Sequence, residues 1–224
     1  MNKRRFAFGT FAVMAAICSV VYGCSDDKAA IGPSAPDGSS GTDGKTPDQN
    51  SPAADTGADS SSRFTAHADI RGTADGSVAN GTATFTEENG EVTVVVDMTA
   101  AFPPGKSGMH GMHLHQNGSC NPSDSGPDGA IVPAGAAGAH WNPLDAGHGF
   151  PAAAVHHAGD MGNIIITDAG TGKLTLTSKE WSVQTGAKSV VGHALVFHVQ
   201  ADDGTSQPVG DAGSRPGCGV VVSP

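Results

Sequence analysis

One stretch near the middle of the chain constrains the fold more than any other, because its apolar and polar residues alternate. Residues 92–98 read Val-Thr-Val-Val-Val-Asp-Met, with a period of two. Successive side chains of a strand point to opposite faces of a sheet, so this pattern predicts a strand with one buried face. A second strand is predicted over 82–86. The turn Glu88-Asn89-Gly90 joins the two, and glycine adopts positive φ there at little cost.

Further strand signals recur from Phe64 to the end of the chain and predict an all-β domain. Segments 164–167 and 173–177 flank a turn at 168–172, and a late strand is predicted over 193–200. No segment has a sustained helical period, which favours a sandwich or barrel. The Gly-, Pro- and Ala-rich stretch between Gln116 and Gly162 carries four histidines, so we interpret this long loop as functional.

The N-terminus has the pattern of an export signal. Basic residues 3–5 precede an apolar stretch over 6–21 that is short for a membrane span. The segment Val21-Tyr22-Gly23-Cys24 resembles a bacterial lipobox, in which cleavage precedes the cysteine and the thiol is lipidated. We therefore predict a signal peptide over 1–23 and a lipid on Cys24. The alternative is an ordinary signal peptide that leaves Cys24 free.

A polar segment separates this signal from the β domain. Residues 25–63 are rich in Ser, Asp, Gly and Pro and cannot bury enough apolar surface to offset their chain entropy. The predicted organisation is a lipidated, disordered tether over 24–63 and a folded domain over 64–224. The protein would be an exported lipoprotein, anchored at a membrane and facing the periplasm or the cell surface. The net charge of -10 argues against a nucleic-acid partner.

Histidine spacing indicates metal chemistry in the β domain. His113 and His115 lie at i and i+2, which on a strand directs both rings to one face. Alone this pair is also compatible with two polar residues on a solvent-facing sheet. His198, on the late strand, is a further candidate.

The strongest group lies in the long loop. His140, His148, His157 and Asp160 provide three imidazoles and a carboxylate, a set suited to Zn²⁺. His156 competes with His157 for this role, and the three-residue spacing to Asp160 favours His157.

Five segments occur in a fixed order with compatible spacing. They are Gly108–His115 (GMHGMHLH), Gly138–Pro143 (GAHWNP), His148-Gly149 with His157–Asp160 (HAGD), Gly192–His198 (GHALVFH) and Gly210–Val220 (GDAGSRPGCGV). Together they resemble the copper/zinc superoxide dismutase family across residues 64–224. The resemblance implies an all-β, eight-stranded Greek-key barrel or flattened sandwich with long metal-binding loops.

The resemblance also implies an activity and its metals. The chain would convert superoxide to O₂ and hydrogen peroxide with copper alternating between Cu(II) and Cu(I), while zinc is structural. The implied copper ligands are His113, His115, His140 and His198; the implied zinc ligands are His140, His148, His157 and Asp160. His140 would bridge the two ions and serve in catalysis. The alternative function is a noncatalytic lipoprotein that buffers copper or zinc.

Other residues receive roles by the same resemblance. Arg215 would position the anionic substrate, Asp202 would link His113 to His148, and His110 would be a buried histidine near the metals. Cys120 and Cys218 would form a disulfide. The family includes monomers and homodimers, and the sequence is compatible with either. Segment 199–214 has no Lys or Arg, so we expect a weaker dependence of the rate on ionic strength than relatives with loop lysines have.

Overall fold

The structure is a computed structural model that describes residues 62–74, 77–102, 106–125 and 127–224. Its strands are β1 (Phe64–Gly72), β2 (Asn80–Glu88), β3 (Glu91–Ala100), β4 (Gly108–His115), β5 (Asp160–Ile166), β6 (Gly172–Ser178), β7 (Ala194–Phe197) and β8 (Gly217–Val220). All pairings are antiparallel, and the order β1-β2-β3-β6-β5-β4-β7-β8 closes into a barrel. Within these ranges no helix has the length and apolar character needed to cross a bilayer. The predicted eight-stranded all-β fold is confirmed.

The β2–β3 hairpin forms where the alternating pattern predicted it. Asn89 and Gly90 both have positive φ, 54° and 76°, which is the geometry of a tight hairpin turn. The even-numbered apolar side chains of β3, from Val92 to Met98, are fully buried. The period of two therefore identified both the strand and its buried face.

Most observed strand limits lie within about two residues of the predicted ones, and two limits differ by more. The late strand is β7, which ends at Phe197, because the backbone N–H groups of Val199 and Gln200 bond to the segment that precedes β8 rather than to a sheet neighbour. Strand β5 begins at Asp160, earlier than predicted. The first residues of β5 pair with β4 through a register shift, and Gly162 has φ 75°. The sequence pattern of a strand is therefore weak there.

A small apolar cluster attaches the long loop to the barrel. Ala134 and Ala137 pack against Ala194 and Val196 of β7 and against Cys218 of β8. A short 3₁₀ turn at Gly135–Ala137 ends this contact. The next residues include His140, which forms an isolated bridge with His115 of β4.

The barrel wall is weakest between β5 and β6. Ile166 and Gly172 are the one residue pair that joins these strands within the described ranges. The end of β6 beyond this pair borders a cavity of about 290 Å³ that the loop before β5 also lines.

The predicted signal peptide, Cys24 and the tether as far as residue 61 lie outside the described residues. They stay predictions.

Candidate metal centre

Four buried histidines form a first cluster at one side of the barrel. His113 and His115 come from β4, His198 follows β7, and His140 forms an isolated bridge with His115. Each offers a ring nitrogen, and these atoms lie within 4.8 Å of one another. The pair at i and i+2 thus shares one buried cluster instead of facing solvent.

A second cluster shares His140 and adds three residues of the long loop and β5. Oδ1 of Asp160 lies 2.8 Å from His140 Nδ1, 3.0 Å from His148 Nδ1 and 3.3 Å from His157 Nδ1. His157 Nδ1 and His140 Nδ1 are 3.4 Å apart. Metal–nitrogen bonds of about 2.0–2.1 Å in a tetrahedron place ligand atoms about 3.3 Å apart, so the four atoms fit one zinc ion. His157, and not its rival His156, belongs to this cluster.

In two rings of the first cluster, Nδ1 is held by a backbone carbonyl, which leaves Nε2 available to a metal ion. His115 Nδ1 bonds to the carbonyl of Gly138 at 2.9 Å, and His198 Nδ1 bonds to the carbonyl of Gly213 at 3.1 Å. The remaining Nε2 atoms of these two rings are 3.4 Å apart.

The other two rings of the first cluster each leave a buried nitrogen unsatisfied. His113 Nε2 and His140 Nδ1 are held by carboxylates, while His113 Nδ1 and His140 Nε2 have no hydrogen-bond partner among the described residues. A buried polar atom without a partner is costly, and metal-binding histidines commonly donate the second nitrogen to a carbonyl or carboxylate. The four donors therefore fit a metal ion that imidazole suits, such as copper.

Asp202 connects the two clusters. Its Oδ2 lies 2.8 Å from His113 Nε2, and its Oδ1 lies 2.9 Å from His148 Nε2. Asn163 holds the backbone of Asp202 through two hydrogen bonds of 2.8 Å. The carboxylate therefore fixes the orientation of one ring in each cluster.

Arg215 is anchored to the loop that carries His140. Its Nη1 donates to the carbonyl of Ala134 and its Nη2 to the carbonyl of Gly138, both at 3.0 Å. The guanidinium is half-buried, and its charge contributes to lowering the pKa values of His115 and His198. A permanent positive charge thus acts on the first cluster.

The comparisons with known proteins agree with this geometry. The family model described as copper/zinc superoxide dismutase matches residues 79–221. A protein of Deinococcus radiodurans named superoxide dismutase [Cu-Zn] is 37% identical over 145 residues, covering 62% of this chain and 75% of the relative.

The chain belongs to the copper/zinc superoxide dismutase family. As a family member it is an oxidoreductase of the dismutase class, for which copper and zinc are the implied metals. A solved structure titled as the clock protein EA4 has a TM-score of 0.59 and 28% identity, and the match covers 72% of this chain and 95% of that one. This likeness accords with the barrel described above.

Burial favours the neutral form of the four histidines in the first cluster of this dismutase-family site. Desolvation lowers the pKa values of His113, His115 and His140 and lowers the pKa of His198 to about 3, with neighbouring rings adding to the effect. Neutral imidazole is the form that binds metal. Burial acts to raise the pKa of Asp160, but hydrogen bonds from His140 and from the backbone N–H groups of His157 and Gly149 lower it overall. The second cluster therefore includes an ionised carboxylate.

The disulfide implied by the family resemblance is present. Cys120 and Cys218 are bonded, with their Cα atoms 5.7 Å apart. The bond joins the long loop to β8 next to the small apolar cluster. Since Ala134 and Gly138 accept the hydrogen bonds of Arg215, this attachment also supports the arginine.

His110 is buried, and within the described ranges no side-chain hydrogen bond joins it to either cluster. Its ring packs against Phe102 and Phe197, with centroids 4.7 and 5.4 Å away, and neither nitrogen has a partner of good geometry among the described residues. Its surroundings are those of a core aromatic residue.

Two residues that sequence reasoning missed hold the site in place. Asn163 supports Asp202, and Gln207 bonds to both the N–H and the carbonyl of His148, at 2.8 and 2.9 Å. Asn163 lies within β5 and Gln207 lies between β7 and β8, and neither has a spacing pattern that would have identified it.

Proposed function

We propose that this chain converts two superoxide ions and two protons into O₂ and hydrogen peroxide, with copper held by the first cluster and zinc by the second. The observation that carries the proposal is the shared ring of His140. Its Nδ1 faces the second cluster, and its Nε2, on the other side, is buried with no hydrogen-bond partner in the part of the chain that the structure describes. Copper, when bound, supplies one-electron chemistry by alternating between Cu(II) and Cu(I), and zinc stays redox-silent.

The protein supplies the positioning of the anion. Arg215 offers a permanent charge and fixed donors beside the first cluster, held by two carbonyl oxygens of the long loop. In this role it binds superoxide and orients it toward the copper ligands. The acidic composition of segment 199–214 leaves Arg215 as the one cationic side chain between residues 199 and 224.

His140 supplies one of the two protons. Its Nε2 takes up a proton in one half of the cycle and releases it toward the peroxide product in the other, while Nδ1 remains oriented by the second cluster. Asp202 keeps the orientations of the His113 and His148 rings fixed during this change, because its carboxylate bonds to both.

Pulse radiolysis of the copper- and zinc-loaded protein tests this function. We expect fast catalytic decay of superoxide, a strong decrease for Arg215→Ala with both metals retained, and no turnover for His140→Ala. Arg71→Ala, which removes an exposed arginine on β1, is the matched control and should keep the rate. Metal binding without catalytic decay would replace this proposal with a metal-buffering function.

We also propose that the dismutase domain is anchored to a membrane through a lipid on Cys24 and a tether over 24–63. The basic, apolar and lipobox-like segments before Cys24 support this proposal. Expression with Cys24→Ser should move the protein from the membrane fraction to the soluble exported fraction. Mass spectrometry of the wild-type N-terminus should find an acylated cysteine, and an unmodified Cys24 would contradict the anchor.

A further inference from the structure

A cavity next to the open edge of β6 has one imidazole and three carboxylates among the residues that line it. Glu91 begins β3, His156 and Asp160 belong to the loop before β5 and the start of that strand, and Lys179 and Glu180 follow β6; all five line the cavity of about 290 Å³. Asp160 also belongs to the second cluster, so the cavity reaches its outer side. His156, in contrast, is outside both clusters.

The ring of His156 is oriented with one nitrogen free for a ligand. Its Nδ1 lies 2.9 Å from the carbonyl oxygen of His157, which accepts a hydrogen bond only from a protonated nitrogen. In the neutral ring the lone pair is therefore on Nε2. Histidines that bind metal ions are held in this way, with the second nitrogen donating to a backbone carbonyl.

Glu180 lies opposite this nitrogen. Its Oε2 is 4.0 Å from His156 Nε2, which is too long for a hydrogen bond. Two donors of a tetrahedral site are about 3.3 Å apart, so sharing a cation needs the carboxylate of Glu180 to move about 0.7 Å toward the ring. The His156 side chain is 17% exposed and that of Glu180 is 56% exposed, which gives the carboxylate freedom to close on an ion.

The charges around the cavity favour a cation. Glu91 and Glu180 outnumber the single cationic side chain, Lys179, in the lining. Imidazole together with carboxylate suits Zn²⁺ or Cu²⁺ better than the oxygen-preferring Mg²⁺ or Ca²⁺. Water can complete the coordination because Glu180 is exposed.

We propose that His156 Nε2 and the carboxylate of Glu180 form a third metal site for a divalent transition ion such as Zn²⁺, on the outer side of the second cluster. Glu91 adds negative charge from β3, the strand that pairs with β6. The site is separate from the dismutation chemistry and has lower affinity than the two buried clusters, because it has two protein ligands and an exposed side.

Calorimetric titration of the full chain, already loaded with one copper and one zinc ion, tests the third site with Zn²⁺ as the probe. We expect one additional equivalent to bind to the wild type and none to His156→Gln. Glu180→Gln should weaken the additional equivalent by about tenfold, because it removes one charged ligand. The site is overturned if no additional equivalent binds, or if His156→Gln retains it.

Matched controls separate this result from general effects. His67→Gln removes an exposed imidazole on β1 and Glu88→Gln removes an exposed carboxylate that pairs with Arg63, and both should keep the additional equivalent. Superoxide decay is measured on the same preparations. Unchanged decay in His156→Gln shows that the variant is folded and loaded, and loss of the third equivalent alone leaves the proposed dismutase function unaffected.

Discussion

Single atoms of the site serve more than one partner. The carbonyl oxygen of Gly138 accepts hydrogen bonds from both His115 Nδ1 and Arg215 Nη2. Gly138 has φ 76°, and a Cβ there would lie 2.8 Å from the side chain of Gln116. A glycine is therefore needed at the point where the first cluster and the arginine share an acceptor.

Asp202 has a similar double role, and its charge is the property to test. Asp202→Asn keeps the shape but replaces one carboxylate oxygen with a donor that cannot accept from His113 or His148. We expect affinity for the bound metals to fall by about 10–100-fold, measured by competition with a chelator.

Asp203→Asn is the matched control for that measurement. Asp203 is exposed, and its Oδ1 accepts from the N–H groups of Thr205 and Ser206, which an asparagine oxygen also does. Its metal affinity should equal that of the wild type. If Asp202→Asn also bound the metals with the affinity of the wild type, the role of Asp202 in orienting the metal ligands would be contradicted.

Among the elements, the connection between β6 and β7 depends on one buried carboxylate of β2. Glu87 accepts from Ser182 Oγ at 2.9 Å, from the N–H of Val183 at 2.8 Å and from Gln184 Nε2 at 3.2 Å. Burial acts to raise the pKa of Glu87, but these hydrogen bonds outweigh it and lower the pKa below its ordinary value of 4.5. The folded protein thus favours the ionised form.

Glu87→Gln tests the contribution of this carboxylate and its pH dependence. We expect the free energy of unfolding at pH 7 to fall by about 1–3 kcal/mol, because buried donors lose a charged acceptor. Since the folded-state pKa is below the unfolded value, the stabilisation is complete above about pH 4.5 and is lost as the pH falls through the folded-state pKa. Urea unfolding across this range should show that the difference in the free energy of unfolding between wild type and Glu87→Gln decreases as the pH falls.

The exposed neighbour on the same strand provides the comparison. Glu88 pairs with Arg63 at 3.2 Å in solvent, so Glu88→Gln should change stability by less than about 0.5 kcal/mol. The role of Glu87 would be contradicted if Glu87→Gln changed the free energy of unfolding equally little, or if its difference from wild type increased as the pH fell. Comparing variants cancels the titration of the metal ligands, which all three proteins share.

Elements with local signals could be predicted from sequence, and elements that depend on distant partners could not. The β2–β3 hairpin has both its alternation and its turn within one short segment. The early start of β5 depends on a register shift against β4, which no local pattern encodes. Asn163 and Gln207 likewise act on residues 39 and 59 positions away, so their roles follow from the fold and not from spacing.

At the scale of the whole molecule, the charge distribution predicts weak electrostatic steering of an anion. The chain has a net charge of -10, and the segment between β7 and β8 that carries Asp202 and Arg215 also has exposed Asp203 and Asp211. Long-range attraction of an anion is therefore weak, and local attraction to Arg215 and bound metal must dominate.

Ionic strength tests this field. Between 0.01 and 0.1 M the screening length falls from about 30 to about 10 Å, and we expect kcat/KM for superoxide to change by less than about twofold. The double variant Asp203→Lys with Asp211→Lys should raise the low-salt rate and make it fall steeply as salt is added. A steep fall in the wild type would contradict the weak-steering prediction.

The bond between Cys120 and Cys218 has a consequence for resistance to proteolysis. The two cysteines are 98 positions apart in the sequence, and their bond closes this part of the chain into a covalent ring. The ring contains five of the seven cluster residues, and the other two, His113 and His115, precede it on β4. A protease that cuts once within the ring leaves both fragments joined. Damage to a single peptide bond between these two cysteines would therefore not by itself release a ligand-bearing fragment.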